Sequence, residues 1–178
     1  MSDTDTSTSG TGTSGTGTSG TGTSGTGPGE EGYGLRLTRM LPATPEAVFD
    51  AYTDAEKQRI WFSILDETPG VVEIDVDLRV GGRQRSVWGP DRDHLFTETQ
   101  TFLQIDRPHR LVTESFGSSP DGQTLTTTIE VTFEAVGDQT LMTVVQTGFP
   151  DTGQRDFFRT HAWIGAFERI ETFLVRAA

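Results

Sequence analysis

Thr152–Arg176 reads TGQRDFFRTHAWIGAFERIETFLVR. Within it Trp163, Phe167, Ile170 and Leu174 stand at i, i+4, i+7 and i+11, which is one face of a helix with 3.6 residues per turn. Ala162, Gly165 and Ala166 lie beside that stripe, and their small size predicts a close approach to a neighbouring surface. Almost everything upstream reads as short strands. One long amphipathic helix after a run of strands implies a helix laid across a curved antiparallel sheet.

Working back from that helix, the strands are legible by alternation. Leu35, Leu37, Arg39 and Leu41 alternate with Arg36, Thr38 and Met40. Val72, Ile74 and Val76 alternate with acids at Glu73, Asp75 and Asp77, so one face is buried and the other wet. Leu125, Thr127, Ile129, Val131 and Phe133 alternate with Thr126, Thr128, Glu130 and Thr132. Gly81-Gly82, Gly89-Pro90-Asp91, Asp106-Arg107-Pro108, Ser118–Gly122 and Gly137-Asp138 punctuate the series as turns. Two short helices fall between the first and second strands. Thr44 serves as N-cap to the first, with Pro45 at the first helical position, and Thr53-Asp54 caps the second. The predicted order is β-α-α-β-β-β-β-β-β-α, with the two short helices forming a V that supports one end of the long one.

Length and charge narrow the partners. Residues 1–32 are almost wholly Ser, Thr, Gly and acid, with TSGTG repeating through residues 8–27. Such a segment has nothing apolar to bury and is expected to be a disordered leader. The remaining residues 33–178, roughly 145 of them, form one domain that buries about two thirds of its unfolded surface. The formal net charge is -12, and only Asp3, Asp5, Glu30 and Glu31 among the acids lie in the leader. An acidic domain repels phosphate backbones and anionic lipid, so nucleic acid and membrane are not expected partners. No apolar run approaches about 18 residues, so no membrane span is expected, and the cytoplasm is the default location. With no cysteine in the chain, disulfides, thiolate metal sites and cysteine nucleophiles are excluded.

Several motifs occur together and in order. Leu41-Pro42-Ala43-Thr44-Pro45-Glu46-Ala47-Val48-Phe49-Asp50-Ala51-Tyr52-Thr53-Asp54 resembles the opening of proteins homologous to the activator of the heat-shock-protein-90 ATPase, within the START-like (SRPBCC) superfamily. Trp61-Phe62 sits where that family carries a Trp pair, and Val80-Gly81-Gly82-Arg83 matches its hairpin. Ile105–Leu111 resembles its strand–proline–strand corner, and Ala162-Trp163 stands where a Gly-Trp is common. The resemblance covers about residues 35–176. It implies an α+β helix-grip fold: a curved antiparallel sheet of about seven strands around a long C-terminal helix, often with an apolar cavity between them. Superfamily members bind lipids, hormones or polyketides, and a few catalyse cyclisation or dehydration. The founding co-chaperone uses this domain to engage its chaperone. The Ser/Thr/Gly leader, standing in place of the co-chaperone's extra domain, argues against carrying a chaperone interaction over.

The candidate site follows from the polar and aromatic residues. Glu98, Gln100 and Glu114 lie on neighbouring strands among Phe96, Phe102 and Phe116, and Arg83 and Arg85 alternate with Gln84 and Ser86. An inward Glu would be desolvated into a plausible base, and an inward Arg could pair with it or with a ligand. A shift of one residue reverses every side chain, so the register decides which of these matter. His161 precedes Trp163 by two residues, in the helix half where Phe149, Phe157 and Phe158 cluster, and could face a cavity mouth. His94 and His109 have no ligand partners at metal spacing, and no metal or cofactor is expected. The expected pocket residues are Trp61, Phe62, Arg85, Trp88, Glu98, Gln100, Glu114, Phe116, Phe149, Phe157, Phe158, His161, Ala162 and Trp163. The expected function is binding of a small apolar or amphipathic molecule between sheet and helix. The alternatives are a cyclase-, dehydratase- or hydrolase-type enzyme using an inward Glu or His, and a protein-interaction module; a homodimer is compatible with all three.

Overall fold

A computed structural model describes residues 32–67 and 70–178. The expected disordered leader therefore lies outside the described residues, apart from Gly32. Strand β1 (Tyr33–Leu41) is followed by helices α1 (Pro45–Thr53) and α2 (Ala55–Phe62). Then come β2 (Val71–Val76), β3 (Arg83–Gly89), β4 (Phe96–Asp106), β5 (Arg110–Ser118), β6 (Thr124–Val136) and β7 (Gln139–Phe149). The chain closes with α3 (Thr152–Phe157), a wide turn over Phe158–Ala162, and α4 (Trp163–Ala177). The seven strands form one sheet in the order β1-β7-β6-β5-β4-β3-β2, antiparallel at every step.

The local chemistry explains the element ends. Thr44 Oγ1 accepts from Ala47 N, and Asp54 Oδ1 accepts from the amides of Glu56 and Lys57, so both short helices are capped by side chains. Gly81 holds φ 79°, a left-handed conformation that glycine adopts without steric cost. At Gly82 a Cβ would stand 2.2 Å from Asp77 O, so the β2–β3 connection admits no side chain there.

The long helix is not uniform. Its Phe158–Ala162 segment is a π-helical turn, closed by Trp163 N donating to Phe158 O. In a regular α-helix, residues five apart point in different directions; widening the turn brings Phe158 and Trp163 to the same side. Phe158 thus packs on Phe149 (5.3 Å between ring centroids), while Trp163, Phe167, Ile170 and Leu174 are buried as one stripe. The small residues beside the stripe divide. Ala166 packs against the core, but Ala162 is exposed and a Cβ on Gly165 would meet nothing within 4 Å. Close approach at Ala162 and Gly165 is therefore corrected, because the wide turn rotates Ala162 outward.

Beneath the stripe, Leu35 and Leu41 of β1, Phe49 of α1, Leu111, Ile129, Val131, Phe133, Met142 and Val144 complete the core. Phe49 meets Phe133 edge-on at 5.5 Å. The V of α1 and α2 is tied to itself by Trp61 Nε1 donating to Ala51 O (2.8 Å). It is tied to α4 by Arg169, which donates to Phe62 O and Asp66 (2.9 Å each). At the opposite edge Arg39 of β1 reaches Glu171 of α4, with Nε 3.1 Å from Oε2. The helix is held along its length by the core and pinned at both flanks.

Candidate functional site

The concave face changes character along the strands. Towards α1 it is aliphatic and aromatic, but midway it carries a band of buried or half-buried polar side chains: Gln84 and Ser86 on β3, Glu98 and Gln100 on β4, Thr113 and Ser115 on β5, Thr127 on β6 and Gln146 on β7. Their neighbours in the pairing register lie side by side: Gln84 opposes Gln100, Ser86 opposes Glu98, Gln100 opposes Ser115, and Ser115 opposes Thr127.

The band is internally bonded. Gln58 of α2 and Gln84 exchange amide hydrogen bonds at 2.9 Å. Thr113 donates to Gln100 (3.0 Å), and Ser115 Oγ donates to Glu98 Oε1 (2.6 Å). Gln146 Nε2 donates to Thr127 Oγ1 (2.9 Å) and its Oε1 accepts from the indole of Trp163 (2.7 Å). Among the described residues no buried side-chain polar atom lacks a partner, which is what burial in low dielectric requires.

Glu98 is the sole carboxylate on the inward face of β3–β7 among the described residues. Its influence reaches Tyr52 of α1. That residue is half-buried, and burial, with the Glu98 carboxylate adding to it, pushes the phenol well above its usual range. The folded state therefore retains a proton that the unfolded chain releases near pH ~10. Stability from this source is complete below that pH and declines above it, by about 1.4 kcal/mol per pH unit, until the folded group itself ionises. Tyr52→Phe is expected to flatten this decline. Urea unfolding between about pH 9 and 11 reads it directly, and an unaltered alkaline slope in the variant would assign it elsewhere.

The polar band ends at a cluster of partly exposed aromatic side chains. Phe62 packs on Trp88 at 5.6 Å, and Trp88 stacks on Phe96 at 5.8 Å and 15°, with Phe96 39% exposed. Leu125 of β6 and Phe158 are half-buried on the far side. Between them Gly117 opposes Glu98 in the pairing register, and a Cβ there would meet only Thr97 O at 3.7 Å. Aromatic and aliphatic side chains thus form a rim beside a band containing one carboxylate and several neutral hydrogen-bonding groups. Two depressions lie outside it: one on the outer side of α4 at Glu168, Thr172 and Val175, and one beside α1 at Asp50, Asp54 and Arg107. Neither opens between the sheet and α4.

The expected pocket residues separate accordingly. Phe62, Trp88, Glu98, Gln100, Phe158 and Trp163 lie on the aromatic rim or the polar band, while Trp61 and Phe149 are core residues beside it. Arg85, Glu114 and Phe116 are exposed on the convex face, and their inward placement is corrected: Arg85 pairs with Thr99, Glu114 with Thr101 and Phe116 with Thr99, all one residue out of phase with Gln100. Phe157, His161 and Ala162 are exposed on the helix. Phe157 stacks on His161 at 5.4 Å, and His161 Nδ1 contacts Thr160 Oγ1, so the histidine does not face the interior.

The residues that sequence reasoning passed over are Tyr52, Gln58, Gln84, Ser86, Thr113, Ser115, Gly117, Thr127 and Gln146. A signal existed for most of them. The strongest apolar residue of each strand sets the inward parity, and Trp88, Phe102, Leu111, Ile129 and Met142 are in phase with the polar band. On β5 the signal is ambiguous, since Val112 and Phe116 make an equally apolar set of opposite parity.

A family model described as Activator of Hsp90 ATPase homolog 1-like protein matches residues 42–174. A comparison with curated proteins found no match. Among solved structures, an uncharacterised protein of Rhizobium leguminosarum superposes with a TM-score of 0.69 at 24% identity, covering 81% of this chain and 95% of its own. A Rhizobium loti protein gives 0.65 at 24% identity, covering 79% and 96%. A Mycobacterium smegmatis protein gives 0.64 at 19% identity, covering 82% and 92%. The structural likeness speaks to the fold, and the family model, which spans most of the chain, speaks to ancestry. The chain, with its helix-grip fold, belongs to the Activator of Hsp90 ATPase homolog 1-like protein family.

Proposed function

We propose that the protein binds a small amphipathic molecule at the mouth formed by β3–β6, the end of α2 and the wide turn before α4. The ligand's apolar part lies against Phe62, Trp88, Phe96, Leu125 and Phe158, and its polar end enters the band. The observation that carries this reading is the polar floor behind a half-exposed aromatic rim. A face selected for stability alone gains little from buried hydrogen-bonded groups that aliphatic side chains of equal volume could replace. Bonds such as Ser115 to Glu98 can instead be exchanged for bonds to a ligand. Family membership agrees, since the family generally binds small ligands. An acid–base enzyme using an inward Glu or His is less well supported, because His161 and Glu114 lie away from the interior and only Glu98 of the three faces it.

Gly117 supplies the test, because a Cβ there would meet only Thr97 O, at an ordinary contact distance of 3.7 Å, and a larger side chain would extend into the proposed mouth. Nile red, a neutral dye that fluoresces in apolar surroundings, is expected to bind the wild-type protein saturably. Gly117→Leu should weaken binding by about tenfold or more with little change in thermal unfolding. Equal affinity in a folded Gly117→Leu variant would place the binding elsewhere.

A further inference from the structure

Resting on that reading, we propose that the site selects ligands whose polar end is a hydrogen-bond donor, primary amines above all, and disfavours carboxylates, with Glu98 as the specificity-determining residue. Three features of the interior converge on this. First, Glu98 is the only formally charged side chain on the inward face of β3–β7 among the described residues. Second, its bonding is incomplete. Ser115 occupies Oε1, whereas Oε2 accepts no hydrogen bond from the described residues and is not shut off from solvent. A carboxylate offers about four acceptor positions, so most of its capacity is unused. Third, the register leaves space beside it, since Ser86 is its neighbour on β3 and Gly117, with no side chain, is its neighbour on β5.

The cations near the interior are committed elsewhere. Arg83 and Arg85 are exposed on the opposite face of β3. Arg39 is engaged by Glu171, and Arg169 by Asp66 and Phe62 O. Arg155 pairs with Asp156 at 2.9 Å and lies over the Tyr33 ring. A ligand carboxylate would therefore meet Glu98 with like charge and no counter-cation, in a half-desolvated setting where repulsion is stronger than in water. An ammonium would donate to Oε2 in a charge-assisted hydrogen bond. A hydroxyl would donate to the same atom without the ionic gain, and falls between the two. The neutral amides and hydroxyls of the band add directionality and no opposing charge.

The test uses one tail with three ends. Octylamine, octan-1-ol and octanoate compete with Nile red on the full-length wild-type protein, Glu98→Gln and Glu114→Gln. The expected wild-type order is octylamine, octan-1-ol, octanoate, with about a tenfold or larger gap between the first and last. Glu98→Gln keeps an acceptor for Ser115, so it should fold normally and close most of that gap. Glu114→Gln removes the same charge from the convex face and should leave the gap intact, which separates site recognition from general attraction to an acidic protein. A gap that survives in Glu98→Gln, that collapses equally in Glu114→Gln, or that is absent in the wild type while the dye still binds overturns the selectivity and leaves the binding reading standing. Failure of the wild-type protein to bind the dye overturns both.

Discussion

Phe167→Ala is expected to destabilise the domain by about 3–5 kcal/mol. Phe167 is 1% exposed, and it lies in the stripe that presses α4 into the concave sheet, 6.0 Å from the Trp163 ring. Truncation removes the transfer energy of the ring and leaves a cavity that the neighbouring elements cannot close, because Arg39–Glu171 and Arg169–Asp66 hold the helix at both flanks. Against a typical total of about 5–15 kcal/mol, such a loss consumes a large share of the stability. Chemical denaturation reads it as a lowered midpoint with little change in slope. Ile164→Ala, at a position 36% exposed one turn earlier on the outer side, should shift stability by no more than about 0.5 kcal/mol. Comparable losses at the two positions would mean that α4 does not seat on the sheet by this stripe.

Gln146→Leu is expected to cost about 2–4 kcal/mol despite replacing a polar core residue with an apolar one of similar size. Gln146 is 1% exposed and joins the indole N–H of Trp163 to Thr127. Its loss leaves the Trp163 donor buried without an acceptor and removes the bond to Thr127, and an orphaned buried group costs more than a made bond contributes. The sign of the coupling is the sharper observable. Combining Gln146→Leu with Thr127→Val and Trp163→Phe removes all three polar partners together, so the triple variant should be less destabilised than the sum of the single variants by about 1–3 kcal/mol. Strict additivity would show that the three side chains do not act as a unit. Were the polar band a device for stability alone, the triple variant would also lack any binding defect.

The order of elements was legible because it depends on local periodicity. The i, i+4, i+7, i+11 spacing from Trp163 to Leu174 and the alternation in β2 and β6 hold in isolation, and the turns between strands announce themselves through Gly, Pro and Asp. The candidate site was legible only in part. Glu98 and Gln100 share parity with Phe102, which is fully buried, and with Phe96 at the rim. Glu114 shares parity with Val112 and Phe116, and Phe116 is 50% exposed on the convex face. An exposed aromatic residue thus made the wrong side of β5 look inward. His161 failed for a different reason: the wide turn at Phe158–Ala162 changes the helical phase just where the prediction assumed a constant 3.6 residues per turn.

The sequence by itself determined the helix, the strands, the capped V of short helices and the acidic charge, because each follows from side chains within a few residues of one another. Its ordered motifs also marked the family. Only the tertiary structure decided which polar residues share the interior, since that depends on how seven strands align across the sheet. A hydrogen bond such as Ser115 to Glu98, or Trp163 to Gln146, joins residues 17 apart in sequence through pairings that no local pattern encodes. It also decided that Arg85 and Glu114 face outward, because a register offset of one residue turns a whole strand over while leaving its alternation unchanged.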